Sequence, residues 1–171
     1  IGMSNRGMVT DKAKLKSVMP AIFPDIPLVA VVDKVLSTQE DILPILEAAQ
    51  KKSSKNIFIF CNNLIGEALL GVAQANVRGL FFIAAAQLPG QGEKIKDYID
   101  DICVVTGASL ATDKFTEENF GSAERIEASF EDTAIIGGKG NPEEIASRIN
   151  YLKQKAEESK EPYDKEYFFS R

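Results

Sequence analysis

The run Ile57-Phe58-Ile59-Phe60 is apolar at every position, which a strand with one wet face cannot afford. Strands half in water alternate apolar and polar residues, whereas strands covered by helices on both faces are apolar throughout. Residues 56–61 therefore read as a central strand of an α/β sheet. After the polar turn Cys61-Asn62-Asn63, the sequence Ile65-Gly66-Glu67-Ala68-Leu69 opens a helix reaching about Val77. At about 100° per residue, Leu69, Leu70, Val72, Ala73 and Val77 spread over more than a third of its circumference, and only Glu67, Gly71 and Gln74 mark a polar side. The preceding helix, residues 37–50, has Ile42, Ile45 and Ala49 as a core stripe, with Leu46 and especially Leu43 displaced to one side. Two helices with surplus apolar edges are either buried on two faces or flank a groove that takes a peptide segment. The residues alone leave both open.

The β-α alternation extends in both directions. Residues 28–32 read as a buried strand. Ser37 caps the helix after it, with Glu40 three residues on. Residues 80–86 form a strand and 92–106 a helix carrying Ile95, Ile99 and Ile102, followed by a short strand at 109–111 and a helical stretch at 115–121. Residues 123–129 and 132–137 alternate around Glu131-Asp132 as a hairpin, and Asn141-Pro142-Glu143 starts a last helix running towards Glu158. Residues 1–27 hold three prolines and Gly7, and read as an extended or hairpin entry segment. The tail from Lys153 is charged and amphipathic and ends in Tyr167-Phe168-Phe169, aromatics that need a surface to cover.

Several chemistries are excluded early. The chain has no histidine among its 171 residues, which removes the usual general base, nucleophile activator and commonest zinc ligand. A net charge of -5 argues against nucleic acid, whose binding needs a basic footprint. No apolar run approaches the roughly 20 residues that cross a bilayer, so no membrane partner is expected, and no signal peptide is visible. Cys61 and Cys103 lack Cys-x-x-Cys spacing and read as small apolar residues in a reducing compartment. Pro89-Gly90-Gln91-Gly92-Glu93-Lys94 follows a strand as a phosphate loop does, but it lacks the Gly-Lys-Ser/Thr ending and places Glu93 where an anion would approach. Gly137-Gly138-Lys139-Gly140 leads into a helix whose first turn carries Glu143 and Glu144, which repel phosphate. Asp100-Asp101 and Glu117-Glu118 lack calcium-loop spacing and read as solvated faces.

Leu43-Pro44-Ile45-Leu46-Glu47, Gly66-Glu67-Ala68-Leu69, Arg78-Gly79 and Pro89-Gly90-Gln91-Gly92 occur in that order. Asp101-Ile102, Thr106-Gly107, Phe120-Gly121-Ser122-Ala123-Glu124-Arg125, Thr133-Ala134-Ile135-Ile136, Ile145-Ala146-Ser147-Arg148-Ile149 and Tyr163-Asp164-Lys165-Glu166 follow. In order and spacing these resemble the apical domain of GroEL-type (group I, 60 kDa class) chaperonins, over most of the chain from Leu28 onward. The resemblance implies a single apical domain over 1–171, α/β, with a layered, parallel-containing sheet flanked by helices plus a β-hairpin. Residues 155–171 would be an exit segment towards an intermediate domain, and the segment before Leu28 would come from it. It implies a groove between two helices that binds non-native polypeptides and the co-chaperonin mobile loop, contributed by Leu43 and Leu46 from the first helix, Leu69, Ala73 and Gln74 from the second, and Met8. Sister subunits in a ring, ATP and Mg in the parent chaperonin but no cofactor or metal in this fragment, no enzymatic activity of the fragment itself, and a bacterial cytoplasm or the matrix of a mitochondrion or plastid are implied with it.

The departures fall in that site. Ala73 and Gln74 stand where the family has a pair of valines, and Met8-Val9-Thr10-Asp11-Lys12 where it has an aromatic-rich segment. Asn62, Asn63 and Ile65 replace acidic residues, and Gln87-Leu88-Pro89-Gly90-Gln91-Gly92 replaces Lys-Ala-Pro-Gly-Phe-Gly. These imply a divergent member with a shallower, more polar groove. Two alternatives stay open: a structural or regulatory chaperonin subunit with weakened client binding, and a small α/β enzyme holding a phosphorylated ligand near residues 90–94.

Overall fold

A computed structural model describes residues 2–4, 22–23, 26–88, 92–111, 114–128 and 132–171. Its strands are β1 (Gly2–Ser4), β2 (Ile22–Phe23), β3 (Leu28–Leu36), β4 (Asn56–Leu64), β5 (Phe82–Gln87), β6 (Gly121–Ala128) and β7 (Asp132–Gly138). The helices are α1 (Gln39–Lys51), α2 (Gly66–Val77), α3 (Lys94–Thr106), α4 (Pro142–Glu158) and α5 (Pro162–Ser170), with one 3-10 turn at Glu117–Asn119. Five principal strands lie in the order β7-β6-β3-β4-β5, extended by β1 on β7 and β2 on β6. β3, β4 and β5 are parallel, and β6 runs antiparallel to both β3 and β7. The fold is α/β, with a mixed sheet flanked by helices and a β6-β7 hairpin.

Alternation along the buried strands divides the interior in two. Ala30, Ile57, Ile59, Cys61, Ile83 and Ala85 join α1 and α2 in one core. Val29, Val31, Phe58, Phe60, Ala84 and Ala86 join α3 and the hairpin in the other. Two successive right-handed crossovers in the same direction put α1 and α2 on one face, and the reversal after β5 sends α3 to the opposite one. That is why β4 is apolar at every position from Ile57 to Cys61. The Asn141 side chain accepts from the Glu143 amide at 2.9 Å, with Pro142 in the first turn, so α4 starts where the sequence places it.

Several boundaries differ from the sequence reading. β3 and β4 continue past Val32 and Cys61, because a bulge sets Asp33 and Lys34 opposite Asn62 before pairing resumes at Val35↔Asn63. The polar turn is thus the end of a strand, with Asn62 Nδ2 donating to Asp33 Oδ1 at 3.1 Å. The cap of α1 is Thr38, not Ser37, and its acidic partner is Asp41, not Glu40. Residues 109–111 form no strand, being tied by the Ser109 amide to the Asn119 carbonyl. The stretch at 115–121 is helical only at Glu117–Asn119. Phe115 and Phe120 both turn inward and stack edge to face at 4.8 Å, and five residues apart on an α-helix they would point about 140° from each other. In the entry segment only β1 and β2 are described, and both are strands; residues 5–21 lie outside the described residues, as do Pro89-Gly90-Gln91 and residues 129–131.

Asp41 ties the start of α1 to the bulge. Its Oδ2 accepts from the amides of Ser37 at 3.0 Å and Thr38 at 3.1 Å, and its Oδ1 from Lys34 Nζ at 2.7 Å. The Lys34 ammonium first, and the two amides after it, hold the carboxyl well below the usual carboxylate range. Because the folded value is depressed, the stabilisation is complete above the unfolded value of about 3.9 and is lost as pH falls below it. Asp41→Ala is expected to cost about 1 kcal/mol at pH 7. Chemical denaturation of wild type and variant should show that gap closing as pH falls from 5 to 2; a gap independent of pH would refute the assignment.

Candidate functional site

α1 and α2 lie side by side over the same face of the sheet. They meet at Gly71, where an added Cβ would lie 3.9 Å from Ile42 Cγ2, so the Gly71 flank of α2 faces α1. The opposite flank faces the edge strand β5. There Asn76 Nδ2 donates to the Ile83 carbonyl at 2.9 Å, while the Ile83 amide donates to Asn76 Oδ1 at 2.7 Å.

These two contacts orient the remaining side chains of α2. At about 100° per residue, Glu67 and Gln74 fall on the α1-facing flank with Gly71, Leu70 points outward between the two flanks, and Leu69 and Ala73 fall towards the β5-facing flank with Asn76. On α1, Leu46 leans towards α2 from a half-buried position and Leu43 stands above it, 47% exposed. Leu70 is 57% exposed. Leu43, Leu46 and Gln74 thus lie along the seam between the helices, while Leu70, about 100° around α2 from Gly71, stands on the outward face beyond Gln74. Leu69 and Ala73 are half-buried along the other edge of α2, beyond which Val77, Leu80 and Phe82 are exposed. Met8 lies outside the described residues. The sequence signal for Leu70 was its neighbour Gly71, the one position of α2 after its first residue without a side chain.

The seam is shallow. Its floor is Leu46, Gly71 and the edge of Ile42, with Leu43 exposed on α1 and the polar Glu67 and Gln74 on α2. Such a surface offers apolar contact with few directional hydrogen bonds. Gly71 is accommodated without need: it sits inside a helix, its φ is not positive, and a Cβ meets only ordinary van der Waals distance. Gly71→Ala is therefore expected to stabilise the fold by about 0.5–1 kcal/mol, read as a rise of about 2 °C in melting temperature; a fall would mean the helices are closer than described.

The remaining sequence candidates serve the fold. Cys61 is buried and its thiol is pushed up to about 12 by burial; Cys103 is pushed up to about 11 by burial and then by Asp100. Both are free thiols of low reactivity. Among the described residues no group of three or more His, Cys, Asp or Glu side chains is placed to hold a metal ion, and no helix is long and apolar enough to cross a membrane. The glycines at 137–140 close the C-terminus of α3, with the Gly140 amide donating to the Val105 carbonyl at 2.9 Å.

Asp101 is a correction. It is not on a solvated face but 15% exposed, shared between Arg148 and Arg171 at 2.8 Å each. Tyr167 covers the neighbouring surface of α3: its hydroxyl donates to Asp97 Oδ2 at 2.7 Å and its ring meets Tyr98 edge to face. Phe168 is half-buried beside it, and Phe169 stays 69% exposed. No family model matches the chain.

Proposed function

We propose that this chain is a polypeptide-binding module, the apical domain of a divergent GroEL-type chaperonin, and that the seam between α1 and α2 receives apolar segments of non-native chains and the co-chaperonin mobile loop. The observation that supports this best is the pair of exposed leucines, Leu43 and Leu70, on adjacent helices above the half-buried Leu46 and the bare Gly71. Two leucines half in water on adjacent helices add to the apolar surface there, and a surface that binds many sequences weakly needs such adaptable contact. Fully burying one leucine contributes roughly 1.5–3 kcal/mol, so covering the exposed half of two gives a comparable total. A single seam would hold a segment briefly, and a ring of such domains would multiply it through effective concentration. In this reading ATP and Mg act elsewhere in the parent chaperonin, and the compartment is the bacterial cytoplasm or an organelle matrix.

Fluorescence anisotropy with a labelled, flexible, uncharged apolar peptide tests this. Saturable binding should weaken about tenfold or more in Leu43→Glu/Leu70→Glu, since each glutamate removes apolar contact and resists desolvation. Gln74→Val should tighten it, the valine replacing a polar group on the same rim. Wild type that fails to bind, or a double variant that binds equally well, would refute the seam and favour the regulatory-subunit reading, which the exposed Gln74 already supports in part.

A further inference from the structure

We infer that α1 carries a second polypeptide subsite on its other flank, specific for a segment in which an arginine or lysine adjoins an apolar residue. A cleft of about 570 Å³ opens between the carboxyl end of β3, α1 and Leu110, Ala111, Lys114 and Phe115, within the size range of sites that enclose small ligands, roughly 300–1,000 Å³. Val32, Pro44, Ile45, Ala111 and Phe115 give it an apolar floor, and Asp33, Lys34, Glu40, Asp41 and Lys114 line its mouth.

The charges at the mouth do not cancel. Lys34 is held by Asp41 at 2.7 Å, and Lys114 reaches Glu47 at 3.5 Å. Among the described residues, Asp33 accepts only from the neutral Asn62 amide, and Glu40 is exposed with no cationic partner. The bulge in β3 creates this imbalance, turning Lys34 back onto Asp41 and leaving Asp33 at the rim.

A second feature calls for donors. Pro44 lies inside α1 and has no N–H, so the Glu40 carbonyl lacks its intrahelical partner. That carbonyl points along the helix towards Pro44, and both residues line the cleft. Two carboxylates and a carbonyl that lacks its intrahelical i+4 donor, above an apolar floor, complement a side chain that is aliphatic along its stem and cationic at its tip, beside an apolar neighbour. A carboxylate or phosphate ligand would meet the wrong sign.

This subsite rests on the polypeptide-binding reading, and two peptides separate the failures. One is the uncharged apolar peptide; the other is the same sequence with two arginines beside its apolar residues. At low salt the arginine peptide should bind wild type about fivefold more tightly, and the advantage should vanish as salt is raised. Asp33→Asn/Glu40→Gln should abolish the advantage and leave the uncharged peptide unaffected. Glu143→Gln/Glu144→Gln, which removes the same charge from exposed positions on α4, should retain it. Binding of the uncharged peptide without an arginine advantage overturns the subsite and leaves the seam intact; an equal loss in both charge variants reduces it to the general field of an acidic protein and overturns it too. If neither peptide binds, both readings fall.

Discussion

Gly140→Ala is expected to cost about 3 kcal/mol or more, enough to leave a domain of ordinary stability partly unfolded. Gly140 is buried where the chain leaves β7 and crosses the C-terminus of α3. An added Cβ there would collide with the Val104 carbonyl oxygen and lie 2.8 Å from that of Val105, and neither atom belongs to a flexible side chain. Relief requires moving the backbone, which breaks the bond from the Gly140 amide that satisfies the Val105 carbonyl at the helix end. Gly121 approaches the same turn, where an added Cβ would lie 2.5 Å from the Ala108 amide. The contrast with Gly71 makes the test sharp: one substitution raises the denaturation midpoint and the other lowers it severely, although both add a single methyl group. A Gly140→Ala midpoint near wild type would show that the turn after β7 does not press on α3 as described.

Local signals were readable in the sequence and partner-dependent ones were not. The apolar run at 57–60 revealed a strand between two helical layers, because alternation and its absence are set by what covers each face. α1 to α4 and the hairpin were legible for the same reason. The ends of β3 and β4 were not, since Asn62 and Asn63 resemble a turn until Asp33 is known to stand opposite. The candidate site was half legible: the apolar surplus of α2 is plain in its composition, but whether Leu69 or Gln74 borders α1 depends on which flank Gly71 presents. Asp101 was misread because its partners lie 47 and 70 residues away, and nothing local distinguishes it from its solvated neighbour Asp100.

Asp101→Ala should cost about 3 kcal/mol, the effect of leaving a buried cation without its anion. The Arg171 side chain is 2% exposed; its Nε and Nη2 meet Asp101 at 2.8 and 3.0 Å, while Arg148 Nε takes the same carboxylate at 2.8 Å. Without Asp101, Arg171 keeps the half-exposed Asp97, at 3.3 Å to its carboxylate and 3.2 Å to its carbonyl, and the Tyr167 ring, 5.4 Å from centroid to guanidinium. A guanidinium left with one half-exposed carboxylate is weakly held in so dry a site, so α5 should leave α3 before the sheet is disturbed. Amide exchange in α5 should then accelerate by about a hundredfold, with β4 and β5 changing far less. The Lys94 ammonium, 4.6 Å from the ring centroids of both Tyr163 and Tyr167, adds only a secondary hold, because cation–π contacts in water are weak. Adding Arg171→Ala to Asp101→Ala should recover part of the loss, since the double variant buries no unpaired charge. Strict additivity of the two substitutions, or α5 exchange unchanged by Asp101→Ala, would mean that the aromatic contacts rather than the shared carboxylate hold the helix in place.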